Sequence, residues 1–392
     1  MRQTCKFRPR LETLEDRIVP DALRWQPQNN TSWNTPGNWW DLTQNAVSQA
    51  APTDKDSVIF DNGWLFCDII DTEATCHQIT TTANWNGGTL NLSGGTLNIE
   101  GGVSNFTEGN IVVDTTIGGN GTVNVDGGAF TYSNDTLNNR ANQGALDFWI
   151  GGGGAVYLTT MVTVGASFHV GYSTSDHLSA DYGSLSMYGM DNCSFTDNTS
   201  IKVSQGGVFG IPDNSTVSHL NMSCSGTLSL VDGSTLSAAN DGAFTFSNGG
   251  LLLGPDTGTA TLNGNVSLDD STLRMGTPGG GYSTLVISGA LTLTDASTLE
   301  VDVNAASLTQ CDTVQADSVV LDDTDTLVTD TAGDIAAGDH SHVVLSAANG
   351  VTGSFGVVAF EGNGTTWVTQ YPGTQVILTS PSEIGIGPPP PP

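Results

Sequence analysis

GGTLNLSGGTLNIEGG, residues 87–102, is the stretch that decides the fold, and it is followed at residues 111–130 by IVVDTTIGGNGTVNVDGGAF. Apolar and small polar residues alternate within short segments, and glycine pairs separate the segments. Because successive side chains of a strand point to opposite faces, Leu90 and Leu92 would share one face and Asn91 would occupy the other. The pattern predicts short β-strands, buried on one side and joined by glycine turns.

The same alternation recurs along the chain, and no helical period of 3.6 residues competes with it in the middle. It reads TLNI at 96–99, TVNV at 122–125, TLSL at 227–230, ATLN at 260–263 and ALTL at 290–293. Recurring one-sided strands predict a solenoid in which each coil packs on the next. We therefore predict an all-β fold, a right-handed parallel β-helix (β-solenoid), with its repeat body at residues 87–300.

Composition favours strands and restricts the partners of the protein. The 392 residues include 49 glycines, only 13% are charged, and the net charge is −30. Six of the ten Lys and Arg residues lie in the first 24 positions, so the remaining chain is even more acidic. An acidic surface repels phosphate backbones and anionic lipids, and no apolar window of about 18 residues could cross a bilayer. We expect neither nucleic-acid binding nor membrane insertion.

The six cysteines show no CxxC spacing, which leaves a zinc site unsupported. Cys67 and Cys76 could face each other across a hairpin, and Cys193 and Cys224 could meet on neighbouring coils. Alternatively, these cysteines are small buried residues of a stacked core. The sequence leaves both interpretations open.

The basic segment at residues 1–24 is separate from the acidic body. Its sequence RPRLETLEDRIVP, residues 8–20, is too polar for the apolar region of a secretory signal. It resembles the LEDR/LEPR-type tag that precedes many exported bacterial surface proteins, through Arg10, Leu11, Leu14, Glu15, Asp16, Arg17 and Pro20. The resemblance implies an extracellular or cell-surface protein. A short amphipathic helix ended by Pro20 is the alternative.

Tryptophans are concentrated at the start of the next segment, residues 25–86, which we predict to be an N-terminal cap. They are Trp25, Trp33, Trp39 and Trp40, and DSVIF follows at residues 56–60. This order resembles the entry segment of autotransporter-like passenger domains, where such residues would cover the open end of the first coil. Because tryptophan rings also stack on sugars, a carbohydrate platform is the alternative.

Residues 301–380 contain more aspartate and longer strands than the repeat body. The succession CDTVQADSVVL at 311–321, GDHSHVVL at 338–345, GVTGSF at 350–355 and YPGTQVILT at 371–379 resembles the C-terminal end of autotransporter-type passenger repeats. The resemblance implies a β-sandwich-like C-terminal cap. Residues 381–392 form a Pro-rich tail, which we expect to be flexible or to adopt polyproline II.

Candidate metal sites are incomplete. GGNGTV at residues 118–123 has the glycines of a calcium nonapeptide but places Val123 where the ligand aspartate belongs. Asp322, Asp323 and Asp325 could offer carboxylates to calcium but lack the glycine and distal glutamate of an EF-hand, so a solvated turn is the alternative. His169 and His177 are separated by a predicted turn. We predict no metal, cofactor or catalytic residue, with calcium as the weak exception.

Enzymatic alternatives meet the same shortage of convergent groups. Lyases of this fold need basic side chains, and beyond residue 24 the chain offers only Lys55, Arg140, Lys202 and Arg274. Hydrolases need paired carboxylates, and adjacent Asp269 and Asp270 would face opposite ways on a strand, although carboxylates of different coils could meet. We expect an exported, non-enzymatic surface or extracellular-matrix scaffold, structural or adhesive, with cell-surface glycans or matrix proteins as partners. A polysaccharide lyase or glycoside hydrolase is the alternative.

Overall fold

The structure is a computed structural model of the chain. It describes residues 21–27, 30–61, 66–69, 73–81, 89–91, 96–99, 103–106, 110–112, 121–126, 129–132, 136–137, 146–151, 154–159, 163–164, 166–172, 183–188, 193–195, 200–211, 215–239, 242–278, 280–307, 309–332, 341–362 and 367–379. The predicted tag up to residue 20, His177 and the Pro-rich tail lie outside the described residues.

The described residues form short strands and one 3₁₀-helix, Pro36–Asn38. The strands of the first half are β1 Ala22–Trp25, β2 Trp39–Asp41, β3 Ala46–Val47, β4 Ser57–Phe60, β5 Phe66–Asp68, β6 Glu73–Cys76, β7 Gln78–Thr81, β8 Thr89–Asn91, β9 Thr96–Ile99, β10 Val103–Phe106, β11 Asn110–Val112, β12 Gly121–Asp126, β13 Ala129–Tyr132, β14 Thr136–Leu137, β15 Leu146–Gly151, β16 Gly154–Thr159, β17 Thr163–Val164, β18 Ser167–Val170, β19 Gly183–Tyr188 and β20 Cys193–Phe195.

The strands of the second half are β21 Ile201–Val203, β22 Gly207–Ile211, β23 Thr216–Leu220, β24 Met222–Cys224, β25 Thr227–Leu230, β26 Thr235–Ala238, β27 Ala243–Ser247, β28 Leu251–Leu253, β29 Gly258–Asn263, β30 Asn265–Asp269, β31 Thr272–Arg274, β32 Ser283–Thr294, β33 Thr298–Asn304, β34 Thr313–Val320, β35 Thr326–Ala332, β36 Ser341–Ala347, β37 Val351–Thr352, β38 Val357–Gly362, β39 Val368–Gln370 and β40 Gln375–Thr379.

These strands form the stacked parallel coils of a β-solenoid, which confirms the predicted all-β architecture. In one sheet of sixteen described strands, all strands except β2 and β3 run parallel to their neighbours. Thr227 lies beside Leu251, and Leu251 lies beside Thr272. A coil is therefore about two dozen residues long, within the range of solenoid repeats. The right hand of the coil stays a prediction.

The other strands form two further rows along the solenoid. One row contains β24, β27 and β30, and the other contains β23, β26 and β29. The long strand β32 pairs with both β29 and β30, because it runs across the corner between the two rows. A register shift between Ile287 and Ala290 marks that corner.

The inward-facing side chains make one apolar column. In the sixteen-stranded sheet, Leu228, Leu252, Leu273, Leu299 and Leu327 follow one another at matching register, and each is 0% exposed. Burying one leucine completely contributes about 1.5–3 kcal/mol, so the column is the main source of stability. Because every coil extends the column of the coil before it, the alternating sequence pattern specifies the stacked fold.

The strands predicted from the opening stretch are confirmed where the structure describes them. Leu90, Leu97, Val123 and Val125 are all buried, whereas Leu92 lies outside the described residues. The asparagines between the apolar positions are also buried, and they bond to side chains of neighbouring coils. Asn124 Nδ2 donates to Asn98 Oδ1 at 2.7 Å.

Tryptophans occupy the N-terminal end of the column. Trp25 and Trp33 each contact Trp39 edge-on at 4.8 Å between ring centroids, and Trp39 Nε1 donates to the Trp33 carbonyl at 2.7 Å. All three pack against Phe60 of the next parallel strand. Strand β1 begins at Ala22, so residues 22–24 of the predicted basic segment belong to the first coil.

Parallel coils continue through the region from residue 301 onward. Strand β33 crosses residue 300, and β35 and β38 extend the same sheet. Strand β40 then pairs antiparallel with β36 and with β39. The predicted segment boundaries and the two caps stay predictions. No helix in the described part of the chain is long and apolar enough to cross a membrane.

Candidate functional site

The tryptophans considered as a carbohydrate platform lie mostly inside the protein. Trp25 and Trp33 are 0% exposed and Trp39 is 1% exposed, while Trp40 is half-buried on β2. A sugar ring needs an open aromatic face, and three of these indoles offer none. In this structure they act as core residues of the first coil.

The described cysteines do not form the disulfides that the sequence left open. Cys67 is a buried free thiol and therefore does not pair with Cys76, whose sulfur lies 3.9 Å from the Asn98 carbonyl oxygen. Cys224 is also a free thiol and therefore does not pair with Cys193. Cys67 and Cys76 belong to different sheets, and Cys193 and Cys224 lie in different rows, so neither pair lies on strands that are neighbours in one sheet. Burial raises the pKa of the Cys224 thiol to about 12.

Asp322 and Asp325, two of the aspartates considered for calcium, form hydrogen bonds in and next to their own turn. Asp325 is 0% exposed and accepts the backbone N–H groups of Asp322 at 2.7 Å and Ser297 at 3.1 Å. Asp322 accepts the N–H and hydroxyl of Thr324, and these hydrogen bonds lower the pKa of Asp322. Across the described residues, no three His, Cys, Asp or Glu side chains are placed to share a metal ion.

Two carboxylates of neighbouring coils do meet, as the sequence allowed. Desolvation and the charge of Asp295 raise the pKa of Asp269, the solvent-facing last residue of β30. Glycosidases hold their two carboxyl groups at least about 5 Å apart so that the sugar fits between them. Asp269 and Asp295 are both exposed side chains, and a carbohydrate-cleavage assay tests them as a hydrolytic pair.

An aromatic cluster on the outer surface was not predicted. His169 stacks on Trp149 at 3.8 Å between ring centroids and with 8° between ring planes, and Tyr172 contacts both rings edge-on. His169 Nε2 lies 3.3 Å from Asp147 Oδ1. Of these residues, the sequence singles out only His169 as a candidate. The cluster itself forms through the pairing of β15 with β18, which the sequence does not show.

The geometry of this cluster limits what it can do chemically. His169 Nδ1 is buried and has no hydrogen-bond partner among the described residues, and the imidazole side chain is only 10% exposed. A substrate could not reach that nitrogen, and the Trp149 face that meets His169 is covered. The cluster therefore stabilises the contact between coils, while the Asp147 carboxylate, 30% exposed, and parts of Trp149 and Tyr172 face solvent.

The better candidate is an open groove on the row formed by β32, β34, β36 and β40, which we call the C-terminal groove. It has a volume of about 370 Å³. Val286, Gln315, Ser346 and Gln375 lie side by side across it at matching register. Its lining is polar and apolar in about equal parts and almost uncharged, with Val286, Ser288, Gln315, Ser346, Thr374 and Gln375 as its main side chains.

The groove forms where the strand pattern is irregular. β32 and β34 shift register between Ile287 and Ala290, and β36 and β40 shift register between Val343 and Leu345. The turn after β36 adds a wall, because Asn349 N–H donates to the Asp317 carbonyl at 2.6 Å and Ala348 N–H donates to the Ala316 carbonyl at 3.0 Å. Such shifts are invisible in the alternating pattern, so the sequence did not indicate this site.

Comparison with known proteins adds no relative to this picture. No protein-family model matches the sequence, and no curated protein is significantly similar to it. The stacked coils and the surface features described above are therefore the basis for any assignment of function.

Proposed function

We propose that this chain is an exported, non-enzymatic β-solenoid scaffold of the bacterial cell surface or extracellular matrix, with adhesion or spacing as its task. The observation that carries the proposal is the continuous apolar column, which joins the tryptophan-rich end to the last parallel strand. Each coil is fixed to its neighbours by backbone hydrogen bonds as well as by this column.

Dimensions and charge support a scaffold role. Sixteen strands at a spacing of about 4.8 Å give a sheet roughly 70 Å long. The net charge of −30 keeps such a surface soluble and separates it from anionic polymers. The resemblance of residues 8–20 to an export tag, and of both end regions to passenger repeats, supports a location outside the cell.

Export is tested by cell fractionation. Because β1 begins at Ala22, the deletion should remove residues 2–20 and leave the first coil intact. We expect the full chain outside the cytoplasm and the deleted form inside it. A chain lacking residues 381–392 serves as the control for shortening. Equal cytoplasmic retention of the full and deleted chains would remove the export proposal.

The non-enzymatic part of the proposal is tested on the purified full chain. We expect no cleavage of a panel of neutral polysaccharides and polyuronates, measured as released reducing ends and as new unsaturated uronate absorbance. Cleavage of any member would favour the hydrolase or lyase alternative, according to which of the two signals rises.

A further inference from the structure

The polar side chains of the C-terminal groove are uncommitted. The side chains of Ser288, Gln315, Ser346 and Gln375 make no hydrogen bond within the described part of the protein. Some outward amides of other coils do bond to a neighbour. For example, Asn263 Nδ2 donates to Ser237 Oγ at 3.0 Å. The groove therefore collects unused donors and acceptors in one place.

These groups match the hydrogen-bonding pattern of a polyol. Each glutamine amide offers an acceptor oxygen beside two donor hydrogens, and each serine hydroxyl both donates and accepts. Neighbouring hydroxyl groups of a sugar also donate and accept. Gln315 is exposed, and Gln375 and Ser346 are half-buried, so their polar ends are accessible. The strands hold their backbones at fixed register, so binding has to order only the side chains, at a cost of about 0.5–1.5 kcal/mol for each glutamine.

The lining and the charge of the groove further restrict the class of ligand that can bind. Ala316 and Ala347 belong to the buried column, so half-buried Val286 supplies the apolar contact in the lining that suits the C–H face of a sugar ring. Among the described residues that line the groove, Asp317 is the one with a charge. An anionic sugar would be repelled by this carboxylate and by the acidic body, and no cation in the described lining would offset the repulsion. A neutral sugar meets no such penalty.

We propose that the C-terminal groove binds a neutral saccharide of one or two rings. Its volume of about 370 Å³ lies at the lower end of the range of small-molecule sites, about 300–1,000 Å³. A single carboxylate in the lining provides no acid–base pair, so the groove holds the sugar without cleaving it. The inference deepens the adhesive form of the proposed function and rests on it.

The proposal is tested by isothermal titration of the full chain with cellobiose, maltose, lactose and mannobiose, and with digalacturonate as the charged comparison. We expect at least one neutral disaccharide to bind and digalacturonate to bind at least tenfold more weakly. Gln315→Ala and Gln375→Ala should each weaken binding about five- to tenfold, the effect of losing a hydrogen bond. Ala348→Tyr, at an exposed wall position, should abolish binding by filling the groove.

Gln205→Ala is the matched control, because Gln205 is an exposed glutamine in a turn outside the groove lining. Thermal unfolding of each variant shows that the coils are intact. Binding that is unchanged in the Gln315→Ala/Gln375→Ala double variant would overturn the proposal, as would equal affinity for digalacturonate or no binding of any disaccharide. Fractionation does not depend on sugar binding, so failure here would leave the export result standing.

Discussion

Strand β28 offers a direct test of the stacked column, because its sequence is three leucines in a row. Leu252 is 0% exposed and lies between Leu228 and Leu273, whereas Leu251 and Leu253 are half-buried on the outer side. Truncating Leu252 to alanine removes apolar atoms from a close-packed position and leaves a cavity. Substitutions of this kind lower the free energy of unfolding by about 3–5 kcal/mol.

The flanking residues provide matched controls of identical chemistry. Leu251→Ala and Leu253→Ala remove the same atoms from positions that already contact water, so we expect a loss of about 1 kcal/mol or less for each. The assay is urea unfolding followed by far-ultraviolet circular dichroism, with hydrogen exchange of the neighbouring strands as a local readout, because solenoids can unfold coil by coil. Equal losses for the three variants, or the smallest loss for Leu252→Ala, would refute the assignment of the inward face.

The other predictions concern a glycine, a carboxyl group and a thiol. A Cβ on Gly226 would clash with the Ser204 carbonyl oxygen, so Gly226→Ala should cost about 1–3 kcal/mol or more, measured by thermal unfolding. Gly210→Ala is the control, because its nearest contact would be an ordinary 3.6 Å. Burial raises the pKa of Asp312 to about 6. Its ionisation therefore lowers the stability of the fold as pH rises from about 4 to 6, by up to about 3 kcal/mol, and Asp312→Asn should remove that part of the pH dependence. Since the Cys224 thiol has a pKa of about 12, it should resist iodoacetamide at pH 8 in the native protein and react after denaturation, as detected by peptide mass spectrometry.

Each of these three predictions has its own contradicting result. A Gly226→Ala variant as stable as Gly210→Ala would place the neighbouring coil further away than the structure does. For Asp312, wild type and Asp312→Asn with parallel pH profiles between 4 and 6 would contradict the burial argument. The slope of stability against pH is the informative quantity, not the stability itself. In one of its two orientations the asparagine amide places an NH₂ donor where the Asp312 oxygen accepts the Asp302 N–H. Rapid native alkylation of Cys224 would show that β24 opens readily.

The fold could be predicted because one-sided alternation constrains it locally. In TLSL at residues 227–230, Leu228 and Leu230 had to share a face, and the structure buries both. A run such as Leu251–Leu253 carries no alternation, so the sequence could not show which leucine faces inward. That choice is made by the register with Leu228 on the preceding coil.

Neither surface feature could be predicted, for a related reason. The alternating pattern shows which residues point outward but not which outward residues of different coils become neighbours. Trp149 meets His169, and Gln315 meets Ser346, only because the turns between them set the length of each coil. Those turns follow no fixed spacing, and the groove additionally needs two register shifts. A regular solenoid presents flat rows. Irregular coil length is thus the feature that creates an open, uncommitted surface, and sequence changes in the turns flanking β34 and β36 should alter the groove while leaving the column intact.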